Sequence, residues 1–329
     1  MPRASIVVPA FNSADTLPRT LRSLLAQTCR DFEVVIVNDG SIDETPEVAE
    51  DFARIDSRIR VVHQANRGLA GARNSGIAAA QCEFVGFCDA DDLWAPGKLE
   101  VHVDHLSANP EVGLSFSGSM LIDMNDHVTG HRQAPRLRNI TPAHVFKRNP
   151  VGNGSAAVMR REALSDLAYR PAQERDRNWV FDEKFRQSED IECWLRLALT
   201  TTWRIEGVEG DLTLYRVNTG GLSANTDRQL ASWERMVAKL RPLAPQFFAR
   251  HEPAARAYQL RYLARRAISD LDGPAARRLM SEACDASLRP FIEEPSKTLT
   301  TFVAAHVLAG VGPAPLRLAS GLLARRATN

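Results

Sequence analysis

Between Ser5 and His63 the chain alternates three short apolar runs with two helix-forming stretches, and that alternation leaves few folds open. Ser5-Ile6-Val7-Val8-Pro9 reads as a short buried strand. It is followed by the loop Ala10-Phe11-Asn12-Ser13 and by an amphipathic helix from about Asp15 to Gln27, with Leu17, Leu21, Leu24 and Leu25 on one face. Phe32-Glu33-Val34-Val35-Ile36-Val37 repeats the strand pattern and ends at Asn38-Asp39-Gly40-Ser41. A helix over Thr45 to Ile55 then leads to the strand Ile59-Arg60-Val61-Val62-His63. Strands joined by helices predict a parallel, doubly wound sheet. Ligands of such sheets sit beyond the carboxyl ends of the strands, so the loops at Pro9–Asn12, Asn38–Asp43 and Asp89–Asp92 are expected to converge on one crevice.

The rest of the chain extends this frame. Phe84-Val85-Gly86-Phe87-Cys88 is a further strand, followed by an acidic loop, a helix around Pro96 to Ser107 and a strand near Val112 to Phe116. Residues 126–150, rich in Pro, Arg and His without a clear period, read as a loop-rich segment, and the charged stretch Arg170 to Asn178 as a surface insertion. Beyond Ala224 the pattern is helical to the end, rich in Ala, Leu and Arg. At 329 residues with 44% hydrophobic content, the chain accommodates one large α/β domain and an extension.

Forty-one basic side chains nearly balance forty acidic ones, which argues neither for nucleic acid nor for an acidic tail, and no nucleic-acid partner is expected. Their distribution is uneven. Residues 1–224 carry 25 basic and 31 acidic side chains, whereas residues 225–329 carry 16 and 9. The acidic part holds the motifs; the basic part is suited to meeting something anionic. The five cysteines are scattered and never in C-x-x-C spacing, the pattern of reduced thiols in a cytosolic protein rather than of a zinc site. The apolar run at the N-terminus is too short for a signal peptide and no stretch has the length to span a bilayer, so a cytoplasmic location is expected.

The strongest chemical signal is Asp89-Ala90-Asp91-Asp92, three carboxylates delivered into a loop by an apolar strand. Their mutual repulsion is relieved by a hard divalent cation bridging to a diphosphate, or else the loop is a solvated turn with Asp92 capping a helix. Asp39, at a strand end, suits either acceptance from a base N–H or the ordinary Asx-turn and N-cap role.

These segments occur with Ile6-Val7-Val8-Pro9-Ala10-Phe11-Asn12 before them and Asn66-Arg67-Gly68-Leu69-Ala70-Gly71-Ala72-Arg73-Asn74 between them. Taken in order, the set resembles the inverting family 2 glycosyltransferases over roughly residues 4–222. The resemblance implies a GT-A type, Rossmann-like α/β fold with a mostly parallel central sheet flanked by helices. It implies a catalytic domain at 1–224, with a nucleotide-sugar donor half at 1–115 and an acceptor half at 116–224, followed by an α-helical C-terminal extension at 225–329. By position, Pro9, Ala10 and Asn12 border the nucleotide, Asp39 hydrogen-bonds the base, Arg73 approaches the diphosphate, Asp89 faces the ribose and sugar, and Asp91, with Asp89, holds Mn²⁺ or Mg²⁺. Asp92 is either a cap or a ligand contact.

The same resemblance places the catalytic base at Asp190, in Ser188-Glu189-Asp190-Ile191-Glu192-Cys193-Trp194, although acidic residues in a first helical turn are also favoured by the macrodipole. Gly154 and Ser155, Glu189, Trp194, Arg216 and Asn218 are auxiliary or acceptor-side candidates. Asn218 stands where the family's closing Tyr-Arg-x-His segment commonly has histidine, so the metal is expected to rest more heavily on Asp91. The implied reaction is a non-processive, metal-dependent hexosyl transfer from a nucleotide-sugar, UDP-sugars favoured, to a glycan or lipid-linked hydroxyl in surface polysaccharide assembly. No Gln-x-x-Arg-Trp motif of the processive synthases occurs.

Two other readings remain beside it. A sugar nucleotidyltransferase is expected to carry a glycine-rich basic loop after the first strand, where this chain has Pro9-Ala10-Phe11-Asn12-Ser13. A catalytically impaired sugar-nucleotide-binding or scaffold protein is kept open by Asn218. In the extension, Ala255 to Leu271 reads as a helix packed on the catalytic domain with a solvated basic face. Thr301–Ala309 and Leu316–Arg326, short apolar stretches with arginines nearby, are suited to the interface of an anionic membrane, peripheral on its cytoplasmic face.

Overall fold

The computed structural model describes residues 3–217 and 226–314. The chain divides into two compact units, Met1–Val145 with Asn149–Gly221, and Phe146–Arg148 with Leu222–Asn329.

The first unit opens as its periodicity predicts. β1 (Ala4–Ala10), α1 (Leu17–Leu25), β2 (Phe32–Asp39), α2 (Thr45–Ile55), β3 (Ile59–Gln64), α3 (Gly68–Ala79) and β4 (Phe84–Phe87) form the doubly wound part. β1 pairs in parallel with β2, from Ala4↔Phe32 to Ala10↔Asn38, and on its other side with β4, from Ala4↔Phe84 to Val7↔Phe87. Both faces of these strands are covered, which is why their runs are continuously apolar rather than alternating. Ile6, Val8, Val34 and Ile36 point to one face, against Leu17, Leu21 and Leu24 of α1 and Ala49 of α2. Val35 and Val37 point to the other, against Ala72 of α3. There α3 lies so close to β1 that a Cβ on Gly76 would come within 2.1 Å of Val7 Cγ1. Only glycine permits that approach.

The remaining elements of this unit are β5 (Leu93–Trp94), α4 (Lys98–Ala108), β6 (Val112–Ile122), β7 (Val128–Gln133), α5 (Pro142–Arg148, whose last three residues belong to the second unit), β8 (Val158–Arg160), α6 (Arg161–Leu167), α7 (Glu189–Thr200) and β9 (Arg204–Arg216). The sheet runs β3-β2-β1-β4-β8-β6-β9-β5, with β7 paired to β6. It is parallel from β3 to β4 and mixed thereafter, because β8 enters antiparallel to both β4 and β6 while β6 and β9 are parallel. One expectation needs correction: residues 126–150 are not predominantly loop, since they contain β7 and α5. The stretch Arg170–Asn178 does lie on the surface outside any helix or strand, anchored by Glu174, which is buried, accepts from Trp179 Nε1 (3.0 Å) and pairs with Arg67.

In the second unit, α8 (Thr226–Leu240), α9 (Pro245–Ser269), α10 (Gly273–Ala286), α11 (Arg289–Glu293) and α12 (Pro295–Val311) enclose a core of Leu260, Leu263, Ala267, Leu279, Met280 and Ala305. Arg261 is not part of a solvated face; it is buried and pairs with Glu294.

Candidate active site

Because β1, β2 and β4 are parallel, their carboxyl ends lie at one end of the sheet, and the loops that leave β1 and β2 meet there. Asn12 Oδ1 accepts from Ile42 N (2.9 Å), Asn12 N donates to Ser41 Oγ (3.0 Å), and Ala14 N donates to Asp43 Oδ2 (3.1 Å). Asn12 takes up a φ of +47° to make this latch, a left-handed conformation that asparagine tolerates better than most residues. Pro9 and Ala10 lie in the last part of β1, buried, in register with Val37 and Asn38. Asp39 is buried too, and its carboxylate is occupied. It accepts from Gln64 Nε2 (2.5 Å), Arg67 N (2.8 Å) and Gly68 N (2.8 Å). Its carboxylate is not the local Asx-turn or N-cap that its sequence suggested; it reaches across 28 and 29 residues to amides at the start of α3 that have no intrahelical partner.

Three separate parts of the chain hold the acidic loop from behind. Thr20 Oγ1 of α1 donates to the carbonyls of Ala90 and Asp92 (both 2.9 Å). Ser155, in a 3₁₀ turn at Gly154–Ala156, accepts from Asp89 N (2.9 Å) and donates to Asp92 Oδ2 (2.6 Å). Arg216, at the end of β9, donates its N–H to Asp92 Oδ1 (2.8 Å) and its Nε–H to the Asp91 carbonyl (2.7 Å), and it pairs with Asp126. Asp92 is thus a fully buried cross-tie, and burial, reinforced by Asp91 and Asp89, pushes its carboxyl well above the usual range. Ser155 and Arg216 support the acid loop from behind.

Asp89 and Asp91 differ from Asp92. Asp89 keeps about a quarter of its side chain open and is gripped by Arg73, whose Nη2 donates to Oδ1 (2.8 Å) and Oδ2 (3.2 Å). Asp91 has no ion pair among the described residues. Burial and the neighbouring Asp89 charge push it up to about 6. An under-compensated carboxyl beside a second carboxylate is suited to a hard divalent cation. Among the described residues no group of three or more His, Cys, Asp or Glu side chains forms a metal cage of its own. Two carboxylates suffice for Mg²⁺ or Mn²⁺ when substrate phosphates complete the shell, so the donor set fits a cation shared with a diphosphate.

Arg73 joins this loop to α7. Its Nη1 donates to Glu189 Oε1 (2.7 Å), its guanidinium carbon lies 5.4 Å from the Phe181 ring centroid, and the side chain is only 2% exposed. Burial works against its charge, but Asp89, Glu189 and Asp190 more than offset that and hold it protonated. A Cβ on Gly154 would come within 2.2 Å of Arg73 Nη2, so the turn carrying Ser155 must be glycine there for the guanidinium to fit. Both amino groups of Arg73 are therefore committed to carboxylates rather than left open to an incoming phosphate.

α7 begins abruptly. Ser188 sits at φ +64°, a left-handed conformation costing a non-glycine residue ~1–2 kcal/mol. Strain of this kind persists where the surroundings hold it, often at functional sites. Glu189 is then locked on Arg73, while Asp190 keeps part of its surface exposed and is pushed up to about 7 by burial and by Glu189, against the opposing pull of Arg73. Four residues on, Trp194 is fully buried, edge-to-face with Phe181 at 5.8 Å, and so belongs to the core rather than to a crevice wall. Asn218 lies outside the described residues.

Two further groups were not among the candidates, although Tyr215 opens the same Tyr-Arg-x-Asn segment as Arg216 and Asn218; Lys98 has no signal of its own in the sequence. Tyr215 precedes Arg216 on β9, and burial together with Asp92, Asp89, Asp91 and Asp190 raises its hydroxyl, so it faces the whole acidic group. Lys98 is fully buried behind the acid loop, donating to the Ala156 carbonyl (3.1 Å) and lying 4.9 Å from the Trp94 ring centroid. Burial lowers it to about 7, with Cys88 and Asp92 opposing.

Comparison with known proteins bears on the family and the fold. Residues 5–168 match the model of glycosyl transferase family 2. EpsJ, an uncharacterised glycosyltransferase of Bacillus subtilis strain 168, is 32% identical over 231 residues, 68% of this chain and 63% of that protein. TuaG of the same organism, a candidate teichuronic acid biosynthesis glycosyltransferase, is 27% identical over 226 residues, 68% of this chain and 82% of TuaG. The matched span is under two thirds of EpsJ, and 53% of the uncharacterised glycosyltransferase alr2836 of Nostoc sp. PCC 7120. Among solved structures, Staphylococcus aureus TarS 1–349 in complex with UDP-GlcNAc aligns with a TM-score of 0.55 at 18% identity, covering 92% of this chain and 90% of that one. The mannosyltransferase PcManGT of Pyrobaculum calidifontis, in complex with GDP-Man and Mn²⁺, aligns at 0.56 and 22% identity, covering 94% and 87%. These likenesses establish a GT-A type fold, and with the ordered motifs and the family match, the chain belongs to glycosyl transferase family 2.

Proposed function

We propose that the chain is an inverting, metal-dependent glycosyltransferase. It moves a hexosyl group from a nucleotide-sugar, a UDP-sugar in the first instance, to a single hydroxyl of a glycan or lipid-linked acceptor in surface polysaccharide assembly. Residues 1–115 form the donor half, 116–224 the acceptor half, and 225–329 an appended helical extension on the cytoplasmic side. The observation that carries the reading is the contrast at the start of α7: Glu189 is neutralised by Arg73, while Asp190 beside it is partly open and titrates at about 7. A base poised near neutral pH is what proton abstraction from an acceptor hydroxyl requires.

In the reaction the acceptor O–H gives its proton to an Asp190 carboxylate oxygen as that hydroxyl oxygen attacks the anomeric carbon. The bond from that carbon to the diphosphate oxygen breaks on the opposite side, the electron pair leaves with the nucleoside diphosphate, and configuration inverts in one displacement. No carboxylate nucleophile is needed. A divalent cation held by Asp91, with Asp89 beside it, would neutralise charge on the departing diphosphate. Asp92, Ser155 and Arg216 keep the acid loop in place, and Arg73 fixes Asp89 relative to Glu189. Pro9, Ala10 and Asn12 border the nucleotide, and Asp39, through the capacity its hydrogen bonds leave free, the base.

A thermal-shift screen of UDP-, GDP- and dTDP-sugars, each with and without Mn²⁺, tests the reading. A metal-dependent rise in Tm for one nucleotide is expected and identifies the donor base. Absence of any response with metal present overturns it. A response without sugar transfer to any acceptor would favour a nucleotide-sugar-binding protein that has lost catalysis.

A further inference from the structure

α12 has two contrasting faces. Thr298, Thr301, Ala305 and Leu308 are buried in the second unit, whereas Leu299 (56% exposed) and Val303 (51%) stand outward one turn apart, followed along the same side by His306 and Gly310, with Val311 (71%) adjoining. Just before it, Leu288 and Ile292 (73%) are exposed at α11. Five large apolar side chains are thus exposed between Leu288 and Val311. From Leu299 to Val311 the helix carries no Asp, Glu, Lys or Arg, the reverse of what the outer face of a water-exposed helix ordinarily carries.

Charge decides what such a face suits. From Pro295 to Asn329 there is no acidic residue, while Lys297, Arg317, Arg325 and Arg326 are basic; the last three lie outside the described residues. The two carboxylates that begin this region are engaged by the unit itself. Glu293 accepts from Lys147 (2.8 Å) and from the Tyr258 hydroxyl (2.8 Å), and Glu294 pairs with Arg148 and Arg261. Arg289 and Lys297 also lie within ion-pair distance of these two carboxylates, at 3.9 Å from Glu293 and 3.7 Å from Glu294, yet stay largely exposed, with side-chain accessibilities of 65% and 72%. Two carboxylates, Glu293 and Glu294, are thus shared among five cations, Lys147, Arg148, Arg261, Arg289 and Lys297. Exposed apolar side chains beside a local excess of positive charge are complementary to a surface that is apolar within and negative at its edge. No described helix is long and apolar enough to cross a bilayer. At 17 residues, or about 25 Å, α12 has the length to lie along one.

We infer that the outward face of α11 and α12, centred on Leu299 and Val303, docks on an anionic phospholipid surface. Apolar side chains enter the headgroup boundary and the flanking cations pair with phosphates. This does not rest on the transferase reading, because the binding is measured without turnover.

The full chain is tested by flotation with phosphatidylglycerol/phosphatidylcholine vesicles and with phosphatidylcholine vesicles alone. Binding to the anionic vesicles and little to the neutral ones is expected, with the bound fraction falling as salt is raised. Leu299→Asp/Val303→Asp is expected to weaken vesicle partitioning about tenfold or more. Leu299→Lys/Val303→Lys, which loses the same apolar area but adds attraction to the anionic surface, should retain more binding than the aspartate pair. Unchanged thermal unfolding of both variants excludes misfolding as the cause, since both side chains already face water. The inference is overturned if the wild-type chain ignores anionic vesicles, or if it binds both vesicle types equally. It is also overturned if the aspartate and lysine pairs alike abolish a concentration-dependent increase in mass, which would identify a second copy of the chain as the occupant.

Discussion

Replacing Arg73 by Met removes the guanidinium but keeps much of its volume, so the result reports charge and hydrogen bonding rather than a cavity. Three hydrogen bonds disappear, one to Glu189 at 2.7 Å and two to Asp89 at 2.8 and 3.2 Å. The Glu189 arm dominates the cost, because that carboxylate is only 7% exposed and water cannot replace the lost partner. The Asp89 arm, at 23%, is partly solvated and contributes less. Breaking a buried pair by removing one partner costs about 3–5 kcal/mol, and a neutral buried hydrogen bond about 1 kcal/mol; the Glu189 arm belongs with the former. Urea unfolding of Arg73→Met should therefore show a loss of about 3–5 kcal/mol, a large share of the ~5–15 kcal/mol typical of a whole domain. Adding Glu189→Gln removes the stranded charge, and the double variant should recover much of that loss, giving a coupling of at least about 2 kcal/mol. A cost below about 1 kcal/mol, or simple additivity in the double variant, would refute the account of Arg73 as the tie between the acid loop and α7.

Further outcomes follow from the same geometry. With Asp190 pushed up to about 7, its base form is lost as pH falls, so log kcat/KM for transfer should drop by about one per pH unit below pH 6. Asp190→Asn should keep donor binding, abolish transfer and erase that limb; unchanged turnover would place the base elsewhere. Asp91→Asn should eliminate the metal-dependent part of the donor-induced Tm rise, whereas Asp92→Asn, replacing a buried carboxyl pushed toward its neutral form, should leave that part intact. Equal losses from both would show that Asp92 shares in holding the cation. Gly154→Ala, whose Cβ would meet Arg73 Nη2 at 2.2 Å, should displace the guanidinium and reproduce the Arg73→Met phenotype in milder form, read by urea unfolding; wild-type stability would mean that the turn yields freely.

The strand-helix alternation, the identity of the acidic loop and the helix beginning at Glu189 were legible in the residues alone, because each is set by neighbours a few positions apart. Apolar periodicity marks buried faces, and an apolar run followed by aspartates marks a strand end. The mixed half of the sheet was not legible: β8 is three residues long and its antiparallel entry between β4 and β6 depends on partners distant in sequence. The division of labour among the carboxylates was equally hidden. Asp89, Asp91 and Asp92 are near-identical as letters, and only their partners distinguish an Arg73-bound carboxylate, an open one and a buried cross-tie. Those partners lie far along the chain, Ser155 by 63 residues from Asp92 and Glu189 by 116 from Arg73. Charge pairing acts through space and is settled by burial, so sequence determined which groups the site contains, and tertiary structure alone decided which of them are neutralised and which remain available for chemistry.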